Sequence, residues 1–246
     1  EVLADVAAIT GNRRYLALAR RFSHRAILEP LLRGEDRLEG LHANTQIPKV
    51  IGFARIGELD ADPAWIGAAR FFWDTVVQRR SIAFGGNSVR EHFNPAGDFA
   101  PMVASREGPE TCNSYNMLRL TQLLHRLDPQ PRYADFYERT LYNHILSTQH
   151  PGHGGLVYFT PVRPRHYRVY SQAQECFWCC VGSGIENHGR HGAFAYTRGR
   201  DGLAVNLYMA SRLHWRERGL QLEQETGFPE QPRSVLRLRL EESQAF

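Results

Sequence analysis

Lysine is almost absent: Lys49 is the only one in 246 residues, so the formal charge of +4 at pH 7 rests on arginine. Those arginines are interspersed with Asp and Glu and do not collect on one arm or stripe, which argues against nucleic acid as a partner. Long apolar runs are also missing. No stretch approaches the roughly 18 apolar residues that a bilayer-crossing helix needs, so no membrane partner is expected. Cysteine is scarce at four residues, too few and too unevenly spread for a disulfide scaffold in a chain this long. No initiator methionine and no basic-then-apolar leader open the chain, which begins in a helical pattern, so its true start is expected upstream. What is present suffices for folding: 42% hydrophobic residues can form the core of one large domain or two small ones.

The first two thirds have helical periodicity. "GNRRYLALARRF" sets Tyr15, Leu18, Ala19 and Phe22 at three-and-four spacing, and "HRAILEPLLRG" stops on Gly34. "ANTQIPKVIGFARIGELD" continues the pattern, and "DPAWIGAARFFWDTVVQRRS" opens with Asp62 as N-cap and Pro63 at the first helical position. "TCNSYNMLRLTQLLHRL" and "RYADFYERTLYNHILSTQ" follow, separated by "DPQP". Short breaks between long helices predict antiparallel helix hairpins. Two irregular segments interrupt them, Gly85 to Pro109 and His150 to Cys179, the second containing a short apolar strand, "GLVYFTP". Long loops of this kind usually serve function. "GSGIENHGRHGAFAY" reads as one more short helix. After about Tyr196 the period changes to two in "LAVNLYM", "RLHWRER", "LQLEQET" and "SVLRLRL", the beginning of a β domain with fewer strands than a closed sandwich. The chain therefore reads as cut at both ends.

Three of the four cysteines fall in "ECFWCCVGSG", Glu175 to Gly184. Adjacent Cys179 and Cys180 could pair only in strained geometry, which leaves metal binding, catalysis or inert burial. Zinc takes four ligands from thiolate, imidazole and carboxylate. Cys112, Cys176, Cys179 and Cys180, with Glu110 two residues before Cys112, offer such a set. Glu110 and Cys112 would diverge on a helix but face the same way in an extended segment. "ETC" is therefore expected at a loop-to-helix entry, with Thr111 as a possible cap. A metal-bound thiolate can act as ligand and as nucleophile, and a nucleophile at a sugar carbon needs an acid for the leaving oxygen. Glu91, in "GGNSVREHF", is the candidate acid, against its plain reading as a solvated loop carboxylate.

Other polar residues carry two readings each. His42 is a cap-region histidine or a sugar ligand, and Tyr158 is core or a site residue. His188 and His191 could bind metal at their helical spacing or lie on a helix surface. "GSG" lacks the Gly-rich length and the lysine of a phosphate loop. Phe177 and Trp178 are expected to pack beside the cysteines and limit water.

"LHANTQIPK", "GGNSVREHF", "ETCNSYNML", "LYNHIL" and "CFWCCVGSGIENHGRHG", in this order across Leu41 to Gly192, resemble the β-L-arabinofuranosidases of glycoside hydrolase families 127 and 146. The "FWCCVGSG-ENH" form is similar to the 146 branch. The resemblance implies a mainly α fold: part of an (α/α)6 toroid over residues 1–194, followed over 195–246 by the truncated start of a β-sandwich domain. It implies zinc held by Glu110, Cys112, Cys179 and Cys180, with Cys179 as nucleophile, Glu91 as acid/base, and His42 and Tyr158 contacting sugar. Cys176 receives no role. The partner so implied is an arabinose-containing oligosaccharide or glycan whose terminal β-L-arabinofuranosyl groups are released with retention. A non-catalytic relative in which zinc only staples loops, and a hydrolase using metal-bound water, are the alternatives. The 246-residue piece alone is expected to be inactive and poorly stable, because an open half-toroid exposes helix faces meant for burial.

Overall fold

The computed structural model describes residues 1–172, 174–199 and 202–242. They fall into two compact units, Glu1–His188 and Gly189–Phe246. The first is helical: α1 Val2–Thr10, α2 Arg13–Phe22, α3 Arg25–Leu32, α4 Ala43–Asp60, α5 Pro63–Arg79, α6 Ala100–Ala104, α7 Thr111–Leu127, α8 Pro131–Thr140 and α9 Cys179–Asn187. The second holds α10 Gly192–Ala195 and strands β1 Tyr196–Arg198, β2 Leu203–Val205, β3 Ser211–Trp215, β4 Leu220–Thr226 and β5 Ser234–Leu240.

Burial separates inner from outer helices. On α2 only Leu16 and Ala19 are buried, the stripe of a peripheral helix. On α7 every residue from Thr111 to Leu118 is buried, and α4 buries Ile47, Val50, Ile51, Gly52, Phe53 and Ala54. Helices enclosed on most sides need neighbours on most sides, and α7 packs on α4, α5, α8 and α9. Trp73 of α5 anchors this core. It is fully buried, donates its indole N–H to Thr121 Oγ1 at 2.8 Å, and meets Tyr133 and Phe136 edge-on. The α4–α5 hairpin turns as the sequence predicts: Ala61 is left-handed, Asp62 caps the N–H groups of Ala64 and Trp65, and Pro63 opens α5.

Several boundaries differ from the sequence reading. The helix expected through Gln149 leaves α geometry after Thr140, passing through a π turn, Leu141–Ile145, and a short 3-10 turn, Leu146–Thr148. The irregular segment before α7 contains α6. "GLVYFTP" is no paired strand but a run of single backbone bridges, Leu156 to Gln149, Val157 to Tyr170 and Phe159 to Glu110. These bridges carry the site, because they tie residues 156–160 to the entrance of α7.

In the second unit β1 and β2 form an antiparallel pair, with Tyr196 opposite Val205. Strands β3, β4 and β5 form an antiparallel meander in which Leu213, Leu222 and Leu238 align. Leu220 and Leu222 are buried, whereas Leu236, Leu238 and Leu240 on β5 remain exposed.

Candidate active site

Three thiols sit at the N-termini of two packed helices. Glu110 is the N-cap residue of α7, in extended conformation, and Cys112 is the second residue of that helix. Cys179 and Cys180 are the first two residues of α9. Thr111 is not the cap: it is the first helical residue, and its hydroxyl donates to the Val157 and Tyr158 carbonyls at 2.7 and 3.2 Å. Its N–H also binds the Tyr158 carbonyl at 3.0 Å, and Thr160 N–H binds the Pro109 carbonyl at 2.8 Å. The entrance to α7 and the segment bearing Tyr158 are thus one backbone unit. Helix α9 starts earlier than expected, so "GSG" lies inside the helix.

One ligand atom from each of Glu110, Cys112, Cys179 and Cys180 lies within 4.8 Å of every other. Cys112 Sγ is 3.1 Å from Cys180 Sγ, which is 3.9 Å from Cys179 Sγ, and all four cysteines are free. Glu110 Oε1 lies 3.3 Å from Cys180 Sγ and 3.8 Å from Cys179 Sγ. Its Oε2 is buried without a hydrogen-bond partner among the described residues. A buried, half-satisfied carboxylate is costly unless a cation faces it. Three thiols and one carboxylate at this spacing fit a four-coordinate metal ion. Burial pushes the carboxyl of Glu110 and the thiols of Cys179 and Cys180 above their ordinary ranges. Protein alone therefore favours protonated thiols here, and a bound cation is what would reverse that preference. Cys176 is partly buried and outside this group, and neither His188 nor His191 belongs to it among the described residues.

Burial divides the donors: Glu110, Cys112 and Cys180 are buried, while Cys179 is exposed. The Cys179 sulfur is 3.6 Å from the Tyr158 hydroxyl, which donates to Glu91 Oε1. Burial, and then the bond to Glu91, push the Tyr158 phenol above its usual range, so it stays a donor. His42 is the N-cap residue of α4, its Nδ1 accepting from the Thr45 hydroxyl at 2.8 Å and more loosely from the Thr45 N–H. With Nδ1 accepting, the proton sits on Nε2, which lies 3.6 Å from Glu91 Oε2. His42 is thus a cap residue whose other ring nitrogen faces Glu91.

The loop bearing Glu91 is fastened on three sides. The Glu91 carbonyl accepts from Ala43 N–H at 2.8 Å, and Arg90 N–H donates to the Glu107 carbonyl at 3.0 Å. Asn113, next to Cys112 and fully buried, donates to Ser88 Oγ at 2.7 Å. Ser88, Arg90 and Glu91 all have positive φ (78°, 48° and 67°), a conformation that costs non-glycine residues about 1 kcal/mol or more each.

Sequence reasoning missed Asn113 and Ser183. Ser183 Oγ is 2.8 Å from Cys112 Sγ and donates to the Cys179 carbonyl at 3.1 Å. Its position four residues after Cys179 on a helix was the available signal; nothing local marked Asn113. Phe177 and Trp178, expected to pack beside the cysteines, are 79% and 41% exposed, with the Trp178 ring 6.0 Å from that of Tyr158.

Residues 1–193 match the family model described as β-L-arabinofuranosidase, GH127 catalytic domain, and residues 202–246 match the GH127 middle domain. Over 95 residues the chain is 34% identical to the non-reducing end β-L-arabinofuranosidase of Bifidobacterium longum subsp. longum, covering 37% of this chain and 14% of that protein. Among solved structures, a GH127 β-arabinofuranosidase superposes with a TM-score of 0.78 at 23% identity, over 96% of this chain and 39% of that one. A GH127 β-L-arabinofuranosidase from Geobacillus stearothermophilus T6 gives 0.75 at 22%, over 97% and 44%. Those likenesses show the fold, a helical toroid followed by a sheet domain. The chain spans less than half the length of each of these relatives. The matching models are those of family 127 and do not address the 146 branch.

Proposed function

Because the chain belongs to the GH127 β-L-arabinofuranosidase family, we propose that it carries the catalytic centre of a retaining glycosidase that releases terminal β-L-arabinofuranosyl groups from a glycan. One observation supports this most: a single hydroxyl, that of Tyr158, is within reach of both the exposed thiol of Cys179 and the carboxylate of Glu91. A nucleophile and an acid brought to one hydroxyl can flank an anomeric carbon, the arrangement of double displacement with retention. The exposure of Cys179 beside three buried donors favours this over a site that only staples loops, which would close all four.

Glu110, Cys112, Cys179 and Cys180 would hold zinc, an ion suited to thiolates with one carboxylate. When bound it supplies a lowered thiol pKa, keeping Cys179 a thiolate at neutral pH. Cys179 Sγ attacks the anomeric carbon and the C–O bond to the leaving group breaks. Glu91 gives its proton to the departing oxygen, leaving a thioglycosyl bond on Cys179. Tyr158 donates to Glu91 Oε1, which leaves Oε2 to carry the transferred proton. Glu91 then takes a proton from water as that water displaces the thiolate. His42, registered to Glu91 through the Ala43 bond, presents Nε2–H toward the sugar and the carboxylate.

The test uses the protein that carries this chain and an aryl β-L-arabinofuranoside. Cys179→Ser should lower kcat by at least about a thousandfold, NMR should find the released sugar first as the retained anomer, and an arabinofuranose-derived electrophile should label Cys179 in mass spectra. Parental rates in Cys179→Ser, or inversion, would sink the proposal.

A further inference from the structure

We propose that Ser183 is a positioning residue for the metal site: its hydroxyl donates to the Cys112 sulfur when the four donors hold their ion, and so steadies that sulfur as a ligand. The inference rests on the metal reading of the cluster and adds to it a residue that is itself no donor.

Helix pairing sets the aim. Ser183 lies one turn into α9 and Cys112 at the start of α7, and Ser183 Oγ is 2.8 Å from Cys112 Sγ. Three residues further along each helix, Tyr115 of α7 donates to Glu186 of α9. Equal steps on both helices mean that α7 and α9 run side by side in the same direction away from the cysteines. Ser183 is thereby fixed in rotation about the α9 axis as well as in height along it.

A hydroxyl has one proton to give, and two acceptors are in reach. One is Cys112 Sγ and the other is the Cys179 carbonyl at 3.1 Å. With Cys112 a thiol, the sulfur can donate to Ser183 Oγ while Ser183 donates to that carbonyl, the back-bond common to helical serines. A metal-bound Cys112 is a thiolate with no proton to give. Oxygen and sulfur lone pairs 2.8 Å apart then repel unless the hydroxyl turns its proton to the sulfur. The turn strands no acceptor, because the Cys179 carbonyl, at the start of α9, keeps the backbone N–H four residues on. Hydrogen bonds of this kind orient a ligand and tune its hold on the ion. The same bond draws charge from Cys112 and makes it a weaker nucleophile. The Tyr158 hydroxyl, 3.6 Å from Cys179 Sγ, gives its proton to Glu91 instead.

The test is made on the protein that carries this chain, stripped of metal and reloaded with zinc or with cobalt(II). Ser183→Ala should fold as the parent does, since alanine suits a helix interior. It should bind zinc about tenfold more weakly in competition with a chelator, and the thiolate-to-cobalt charge-transfer band should move to lower energy. Ser183→Thr restores the hydroxyl and should restore both. A serine that only back-bonds its own helix would leave affinity and band unchanged in Ser183→Ala. That result, or a Ser183→Thr variant as impaired as Ser183→Ala, overturns the role of Ser183 while the metal site stands. A parental protein that takes up neither ion gives a different signature: it overturns the donor group, and this inference with it.

Discussion

Replacing His144 with glutamine should flatten the acid side of the stability profile. His144 lies in the π turn after α8, is fully buried, and sits between Ser114 Oγ at 2.8 Å and Thr160 Oγ1 at 3.0 Å. Burial, with a smaller push from Arg168, lowers its pKa to about 3. In the unfolded chain the imidazole titrates near 6.5. Above pH 6.5 both states are neutral and the group contributes no slope. Between pH 6.5 and 3 only the unfolded chain takes up the proton, so stability falls with pH by about 1.4 kcal/mol per unit. From pH 7 to pH 5 that is about 2 kcal/mol, a large share of a typical 5–15 kcal/mol. Glutamine does not titrate, and its poorer fit should cost about 1–2 kcal/mol at every pH. Urea unfolding of parent and variant at pH 7 and pH 5 separates the two effects. The parent should lose about 2 kcal/mol more than the variant across that interval. Equal losses, or an NMR titration placing folded His144 near 6.5, would refute the reasoning.

Other outcomes follow from the site. Stripping metal with a chelator should lower Tm by about 10 °C, as expected for a ligand bound about a thousandfold above its Kd, and restoring zinc should recover it; full activity at an unchanged Tm would contradict the assigned donors. Asn113→Ala removes the bond to Ser88 and should reduce kcat about tenfold with metal stoichiometry intact, since the loss is one buried hydrogen bond of about 1–3 kcal/mol; metal lost together with activity would show that Asn113 serves the donor cluster instead. Gly85→Ala would place a Cβ 1.9 Å from Thr140 Oγ1 at a φ of 88°, so a drop of more than about 2 kcal/mol is expected; a thermal melt within a degree of the parent would contradict it.

Much of this was legible because the signals are local. Asp62 with Pro63 sets a helix start by capping chemistry alone, and strands β4 and β5 lie where period-two patterning places them. Ligand chemistry plus an extended "ETC" offered Glu110 with all four cysteines, the family resemblance singled out Glu110, Cys112, Cys179 and Cys180, and the geometry brings those four together. The reading weakened where a long-range partner decides the outcome. Thr111 has the composition of a cap, yet the Val157 and Tyr158 carbonyls claim its hydroxyl. "GLVYFTP" has strand composition, but its neighbours supply single bridges, not a ladder. Trp178 reads as packing beside the cysteines and limiting water, yet the fold leaves it 41% exposed. Asn113 is an ordinary helix residue until Ser88 arrives from elsewhere in the chain.

The three left-handed residues around Glu91 have a consequence for how this segment can change over time. Ser88, Arg90 and Glu91 occupy backbone that glycine would adopt without strain. A drift toward glycine at Arg90 would therefore be rewarded in thermal stability and, on the role proposed for Glu91, penalised in turnover, because the same relaxation loosens the aim of the carboxylate; at Ser88 the loss of the bond from Asn113 offsets the gain. Screening for robustness alone would select against the tension that holds the Glu91 segment in its present conformation.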